Sequence, residues 1–577
     1  FQTMLLESAV LLYATSIIVS SLPIDHSTKP VRVRTARGDV LGFHYVSSIP
    51  NEEGEADVFL SIPYAIPPIG DRRFKKPVAV DRYPSSPHNA TAYRYACPQI
   101  PDAMPMSEDC LTLDVISPSV SNGRKYPVMV FIHGGSFNEG STMTRLPYQG
   151  AIRNYATRGV LIVAMQYRLG LLGFFTTGSP EFPPNLGMLD QVEALKWVQA
   201  EIGAFGGDPN RVTIFGNSAG AASVSAHTYS PLSKNLFNAA IMQSGAALTS
   251  FDGFAGFTGN SEARALQLCN FTQTEWEAGQ FGKLHACLIN MDYKQFLPLE
   301  MDNVRGWLIE QDDAFLPTVP LQLQRRIPVM IGSLRDEFYG FQIIFMLACN
   351  ATLDFYNRKT WNTVLHDIAG TLPKQKYDKL KSLLEDELLP AEISDTNPVE
   401  WAKFISRVGT SLLFLSPIHR YIRDHLAIDN PSVYVYEFTY PSRLLGAEPI
   451  GNWNPAVHSG DMPYVTGNPS FFKDKKFPAR DEDMQLRETV AEAWATFAKT
   501  GHPTRFWSPV PVDAVTIPYI EFGANSTRMR SSYRISDEML FNGIVPRLIG
   551  DWPPSRLYLG TGKPYDKPQH TLIMKAQ

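Results

Sequence analysis

The sequence predicts an α/β fold, with a large, mostly parallel twisted sheet, helices on both faces and helical insertions over one end. Three observations predict it. From residue 31 to about 240, short apolar strand-like runs alternate with helical segments. Between about 255 and 300, and again from 340 to 430, the texture changes to helical periodicity, as in KYDKLKSLLEDELL and WAKFISRVGTSLLFLSPIHRYIRDHL. One strand-like run, RVTIF, breaks into GNSAGAAS, where small residues crowd around Ser218.

Taken in chain order, the first 26 residues, FQTMLLESAVLLYATSIIVSSLPIDH, hold an apolar run of about 14 residues that ends in small side chains. That is the length of a secretory h-region and short for a membrane span. Residues 1–22 are therefore expected to be a signal peptide, with an uncleaved anchor as the alternative because Glu7 lies in the segment and no Lys or Arg precedes the run. Residues 23–577 are expected to form a single domain, since no linker rich in Ser, Gly or Pro divides them and no later segment is long and apolar enough to span a bilayer. The whole chain of 577 residues is 44% hydrophobic, enough for a large core. Its 52 Lys plus Arg against 57 Asp plus Glu leave a net charge of -5 with no dense basic block, which argues against a nucleic-acid partner.

VMVFI, VLIVAMQY and VTIF are the strands of the first half, and QVEALKWVQAEIGAF is the helix between them. Its Val192, Leu195, Val198 and Ile202 recur at three- and four-residue intervals, so one face is expected to pack on the sheet. IPVMIGSLRDE and SVYVYEFTY supply two later strands, and LRETVAEAWATFAKTGHP a late helix stopped by Gly501 and Pro503.

Cysteines at 97, 110, 269, 287 and 349 form two close pairs and a singleton. Cys97 is expected to bond Cys110, and Cys269 to bond Cys287, with Cys349 left over; loops of this size contribute roughly 3 kcal/mol each on the chain-entropy account. Asn89, Asn270, Asn350 and Asn525 head N-x-[ST] sequons and are glycosylation candidates in a secreted chain.

A strand, then Gly216-Asn217-Ser218-Ala219-Gly220, then a small-residue helix is the context of a nucleophile elbow. The glycines let strand and helix approach closely while the serine hydroxyl is pushed out at the carboxyl edge of the sheet. A hydroxyl at its free pKa is a weak nucleophile, so it needs an imidazole base, and the base needs a carboxylate to hold its tautomer. Of the downstream histidines, His366, His419 and His425 fall in helical segments and His502 and His570 in or near terminal turns. Only His458 stands in a punctuated loop, NWNPAVHSGDMPYV, and it is the candidate base. For the acid, IPVMIGSLRDEF ends a strand in Asp336 and Glu337, between which spacing does not choose. The loop His133-Gly134-Gly135-Ser136, following VMVFI, offers free amides for a developing oxyanion.

These stretches, together with FLSIPYAIPPIGDRRFKKP, SEDCLTLDVISP and AWATFAKTGHP, resemble the type-B carboxylesterase and cholinesterase family in order and interval from about residue 30 to 560. The resemblance implies an α/β-hydrolase fold with a Ser-Glu-His triad of Ser218, Glu337 and His458. By motif match it implies oxyanion-hole amides at Gly135, Ser136 and Ala219, the Cys97–Cys110 and Cys269–Cys287 bridges, and a structural ion pair of Arg73 with Glu108. It implies neither metal nor organic cofactor. Two departures bear on substrate. Asn217 stands where cholinesterases carry Glu before the nucleophile, and PQIPDAMPMSED, between the first two cysteines, holds no choline-binding tryptophan.

The expectation is thus a secreted serine carboxylesterase acting on uncharged carboxylic esters, as monomer or homodimer. A cholinesterase is the alternative, and a non-catalytic adhesion homologue is disfavoured because all three triad positions are filled. The terminal TLIMKAQ has no KDEL-like retention signal, so secretion is expected, with lysosomal delivery as the other destination.

Overall fold

The computed structural model describes residues 29–550 apart from 48–53, 101–103, 248–260, 299–306, 318–321, 349–350, 371, 391–392, 395, 446–447, 474–475 and 525. The expected signal peptide, Cys349, Asn350 and Asn525 lie outside the described residues.

Thirteen strands of the described residues form one sheet. They are β1 (Lys29–Thr35), β2 (Gly38–Val46), β3 (Glu55–Pro63), β4 (His88–Asn89), β5 (Thr112–Ser117), β6 (Tyr126–Ile132), β7 (Leu161–Met165), β8 (Gly207–Asn217), β9 (Ala239–Gln243), β10 (Val329–Leu334), β11 (Val433–Phe438), β12 (Tyr519–Phe522) and β13 (Thr527–Arg530). Their order is β1-β2-β3-β5-β7-β6-β8-β9-β10-β11-β12-β13, with β4 beside β2. From β7 to β12 every neighbouring pair is parallel. The first strands instead form an antiparallel meander, β1 to β2 to β3 to β5 to β7, and β13 folds back on β12.

Alternation along each central strand explains why helices cover both faces. In β6, Val128, Val130 and Ile132 enter one buried cluster while Met129 and Phe131 enter the opposite one. In β10, Val329 and Ile331 go one way and Met330 and Leu334 the other. The first cluster takes in helices α1 (Leu186–Glu201) and α2 (Ala219–Tyr229) through Leu195, Val198 and Val224. Helix α1 differs from the amphipathic expectation, because Asp190, Gln191 and Glu201 are buried along with its apolar positions. Each has a partner: Arg168 Nε and Nη2 reach Asp190 at 2.7 Å, His227 Nε2 lies 3.0 Å from Gln191 Oε1, and the Ala36 amide donates to Glu201 Oε2 at 3.1 Å.

A third cluster belongs to the helical insertions. Helix α3 (Glu337–Ala348) leads into helices Arg358–Ala369, Lys374–Leu388 and α4 (Pro398–Thr410), which bury Trp361, Leu380, Trp401 and Phe404 together. A π-helical turn, Ser411–Leu415, joins α4 to helix α5 (Ser416–Ala427). The opposite face of the sheet is covered by α6 (Asp481–Thr500), through Val490, Trp494 and Phe497.

Both expected disulfides are present, Cys97–Cys110 and Cys269–Cys287. Arg73 donates through Nε to Glu108 at 2.7 Å, and both side chains are buried. Among the described residues no helix is long and apolar enough to cross a membrane.

Candidate active site

Parallel strands β6, β8 and β10 release the chain at one edge of the sheet, so residues far apart in sequence meet there. Ser218 follows β8 with φ 58 and ψ -125, a backbone state that a non-glycine residue holds at a cost of order 1–3 kcal/mol. The surroundings impose it. A Cβ on Gly220 would lie 2.1 Å from the carbonyl oxygen of Ile132, and one on Gly216 would lie 2.5 Å from the same atom. Strand β6 therefore runs against the elbow, and only glycine at both positions admits it. The Ser218 amide donates to Gln243 O at 2.8 Å, which pins the elbow to the end of β9. The side chain of Ser218 is partly exposed.

His458 Nδ1 lies 2.6 Å from Glu337 Oε2. The other carboxylate oxygen, Oε1, accepts the Leu334 amide at 2.8 Å, and Glu337 is fully buried. The carboxylate is thus fixed at both oxygens, one of them by the strand it follows. Adjacent Asp336 is used differently. Its Oδ2 accepts from Ala456 N and from Arg335 Nε, each at 2.9 Å, so it ties the His458 loop to the end of β10. The imidazole lies between Phe341 and Phe414, each ring centroid 5.0 Å away. Phe341 follows Glu337 by one helical turn, a four-residue spacing that puts both side chains on one face of α3.

His458 Nε2 is buried and has no hydrogen-bond partner among the described residues, so the structure makes the carboxylate–imidazole bond and leaves the imidazole–Ser218 bond unmade. The two loops are nevertheless joined. Ser459 Oγ donates to Asn217 Oδ1 at 2.9 Å, linking the residue after His458 to the residue before Ser218. Nothing in the spacing of the sequence signals this bond.

Four carbonyls of the loop after β6 are already engaged as acceptors. Those of His133, Gly135, Ser136 and Phe137 accept respectively from Tyr167 Oη at 2.6 Å, Asn138 N at 2.9 Å, Trp307 N at 3.2 Å and Gly170 N at 2.7 Å. Among the described residues, the amides of Gly135, Ser136 and Ala219 donate to no protein group. Ser136 and Phe137 both have positive φ, 52 and 60, so the loop conformation carries strain at two non-glycine residues. A Cβ on Gly134 would lie 2.3 Å from Asn217 O and 3.1 Å from Ser218 Cβ, which puts this loop directly beside the elbow.

Two buried titratable groups flank the arrangement. Burial pushes His133 down to about 3, so it is neutral, and it stacks on Tyr167 with centroids 4.4 Å apart. Burial raises Asp461 to about 6; the hydrogen bond from Gln243 opposes this, and the nearby Glu337 charge adds to it. Asn89 and Asn270 are exposed. Among the described residues, no group of three or more His, Cys, Asp or Glu is placed to hold a metal ion.

Comparison with known proteins places the chain in a family. The sequence matches the Carboxylesterase family over residues 29–539. It is 34% identical over 500 residues to pyrethroid hydrolase Ces2e of Rattus norvegicus, covering 83% of each chain. It is also 34% identical to the para-nitrobenzyl esterase of Bacillus subtilis, over 77% of this chain and 86% of that one. With carboxylesterase 3B of Mus musculus it shares 30% identity over 94% of this chain and 96% of the mouse protein. The chain belongs to the carboxylesterase family and is a carboxylic ester hydrolase.

Proposed function

We propose that the chain is a secreted serine carboxylesterase working through an acyl-enzyme on Ser218. The observation that carries this reading is the buried Glu337–His458 bond, whose imidazole keeps Nε2 free at the sheet edge where Ser218 is held in a strained elbow. Rotation of the serine side chain makes the remaining bond; such bonds are often open before substrate binds. Ser218 Oγ then attacks the ester carbonyl carbon as His458 Nε2 takes its proton. The carbonyl oxygen becomes an oxyanion that the amides of Gly135, Ser136 and Ala219 receive. One such donor is worth about 3–4 kcal/mol at the transition state. Imidazolium returns the proton to the leaving alcohol, and water, deprotonated by the same nitrogen, cleaves the acyl-enzyme and restores Ser218. Glu337 keeps Nδ1 protonated throughout.

Uncharged esters are the preferred substrates. Asn217 places a neutral amide, already bonded to Ser459, where an anion would attract a quaternary ammonium group. The test compares a choline ester with an uncharged ester of equal acyl length. A higher kcat/KM for the uncharged ester, with a burst of alcohol equal to the enzyme concentration, supports the reading, and preference for the cation contradicts it.

A further inference from the structure

The loop that carries Gly135 and Ser136 is pinned at its return end, Gly140, by a side chain from another part of the chain. Gln99 Oε1 accepts the Gly140 amide at 2.7 Å, and Gln99 Nε2 donates to the Gly140 carbonyl at 2.9 Å. The same Nε2 donates to Cys97 O at 3.0 Å. Both amide hydrogens are therefore used, and the orientation of the side-chain amide is fixed by what Gly140 offers, one donor and one acceptor. Gln99 is buried.

Gly140 has little freedom of its own. Its φ is +116, and a Cβ there would lie 2.4 Å from His133 Nδ1 and 2.5 Å from Gly134 O. Residue 140 thus rests on the first two residues of the loop, and His133 is in turn held by its stack on Tyr167. On the other side, Gln99 stands two residues after Cys97, whose bridge to Cys110 ends just before β5. A continuous chain of contacts runs from the sheet through the disulfide and Gln99 to Gly140 and the 133–140 loop.

We propose that Gln99 is a positioning residue of the acyl-transfer site. It sets the return end of the 133–140 loop, and so the direction of the Gly135 and Ser136 amides, without touching substrate. This rests on the reading of those amides as oxyanion donors, and it explains why a disulfide loop without a choline-binding tryptophan still contacts the site.

The test uses Gln99→Met, which keeps length and removes all three bonds, and Gln99→Glu, which keeps an acceptor for the Gly140 amide and loses the donors. Near-UV circular dichroism checks the fold of each. For an uncharged para-nitrophenyl ester, kcat is expected to fall about 10- to 100-fold with KM within about twofold, the scale of a small misplacement of preorganised groups. A trifluoromethyl ketone, which forms an oxyanion on Ser218, is expected to lose affinity by the same factor, while the matching methyl ketone loses none. If one variant fails to fold, the other still decides. Unchanged kcat in a folded variant overturns the proposal, as does a fall in kcat that leaves the ratio of the two ketones' affinities unchanged. Wild-type protein that cleaves no ester and binds neither ketone overturns the reading of the site and this inference with it, whereas active wild type beside an equally active variant overturns this inference alone.

Discussion

Ser459 donates a hydrogen bond to Asn217 at 2.9 Å, across 242 positions of sequence, and it is the direct bond between the loop of the candidate base and the elbow of the candidate nucleophile. Ser459 has φ 64, so the loop takes a costly turn to make it. Removing the donor leaves the buried Asn217 oxygen without it. Ser459→Ala is expected to cost about 1 kcal/mol of stability and to lower kcat roughly three- to tenfold with KM unchanged. Steady-state kinetics and thermal unfolding of the variant check both.

The neighbouring carboxylates Asp336 and Glu337 are expected to differ sharply. Glu337→Gln offers an amide to His458 Nδ1 and favours the wrong tautomer, so kcat should fall about 10³- to 10⁴-fold. Asp336→Asn keeps the acceptor for Ala456 N and loses only its charge beside Arg335, so activity should stay within about fivefold. Parallel kinetics on the two variants decide the assignment.

A stability prediction rests on Asp114 in β5, which takes no part in the proposed acyl chemistry. Burial raises its carboxyl from 3.8 to about 6, against hydrogen bonds from Thr142 and Ser61, the latter at 2.7 Å. Its Oδ2 has no hydrogen-bond partner among the described residues. A native-state pKa above the unfolded one means that the folded protein binds the extra proton, so stability falls as pH rises from about 4 through 6. Two units correspond to about 3 kcal/mol, part of which an added amide NH2 without a partner would offset. Asp114→Asn is expected to be about 1–2 kcal/mol more stable than wild type at pH 7.5 and about 1 kcal/mol less stable near pH 4, the change between the two being the linkage term. Thermal scans at the two pH values measure this.

Much of this was legible in the sequence, for reasons that particular residues make plain. Gly216 and Gly220 are steric necessities against Ile132 O, so the elbow is written in residue type. The runs of β6, β7 and β8 are apolar on both faces because helices cover both, and that pattern reads directly as central parallel strands. The antiparallel meander β1 to β5 was less visible, since pairing direction leaves no mark on composition. Glu337 was distinguished from Asp336 by family resemblance alone. Spacing could not separate them, because their roles depend on which way each side chain leaves the first turn of α3. Phe341 could have been found from its four-residue offset to Glu337. Gln99 and Ser459 could not, because each acts on a segment distant in sequence through a single polar side chain.

The most direct measurement is the mass of the Ser218-containing peptide after treatment of the intact protein with an uncharged organophosphonate. One adduct per chain on Ser218, absent in Ser218→Ala and formed far more slowly in His458→Ala, is the predicted result. A protein that hydrolyses esters while Ser218 stays unmodified, or that keeps its activity in Ser218→Ala, would contradict it.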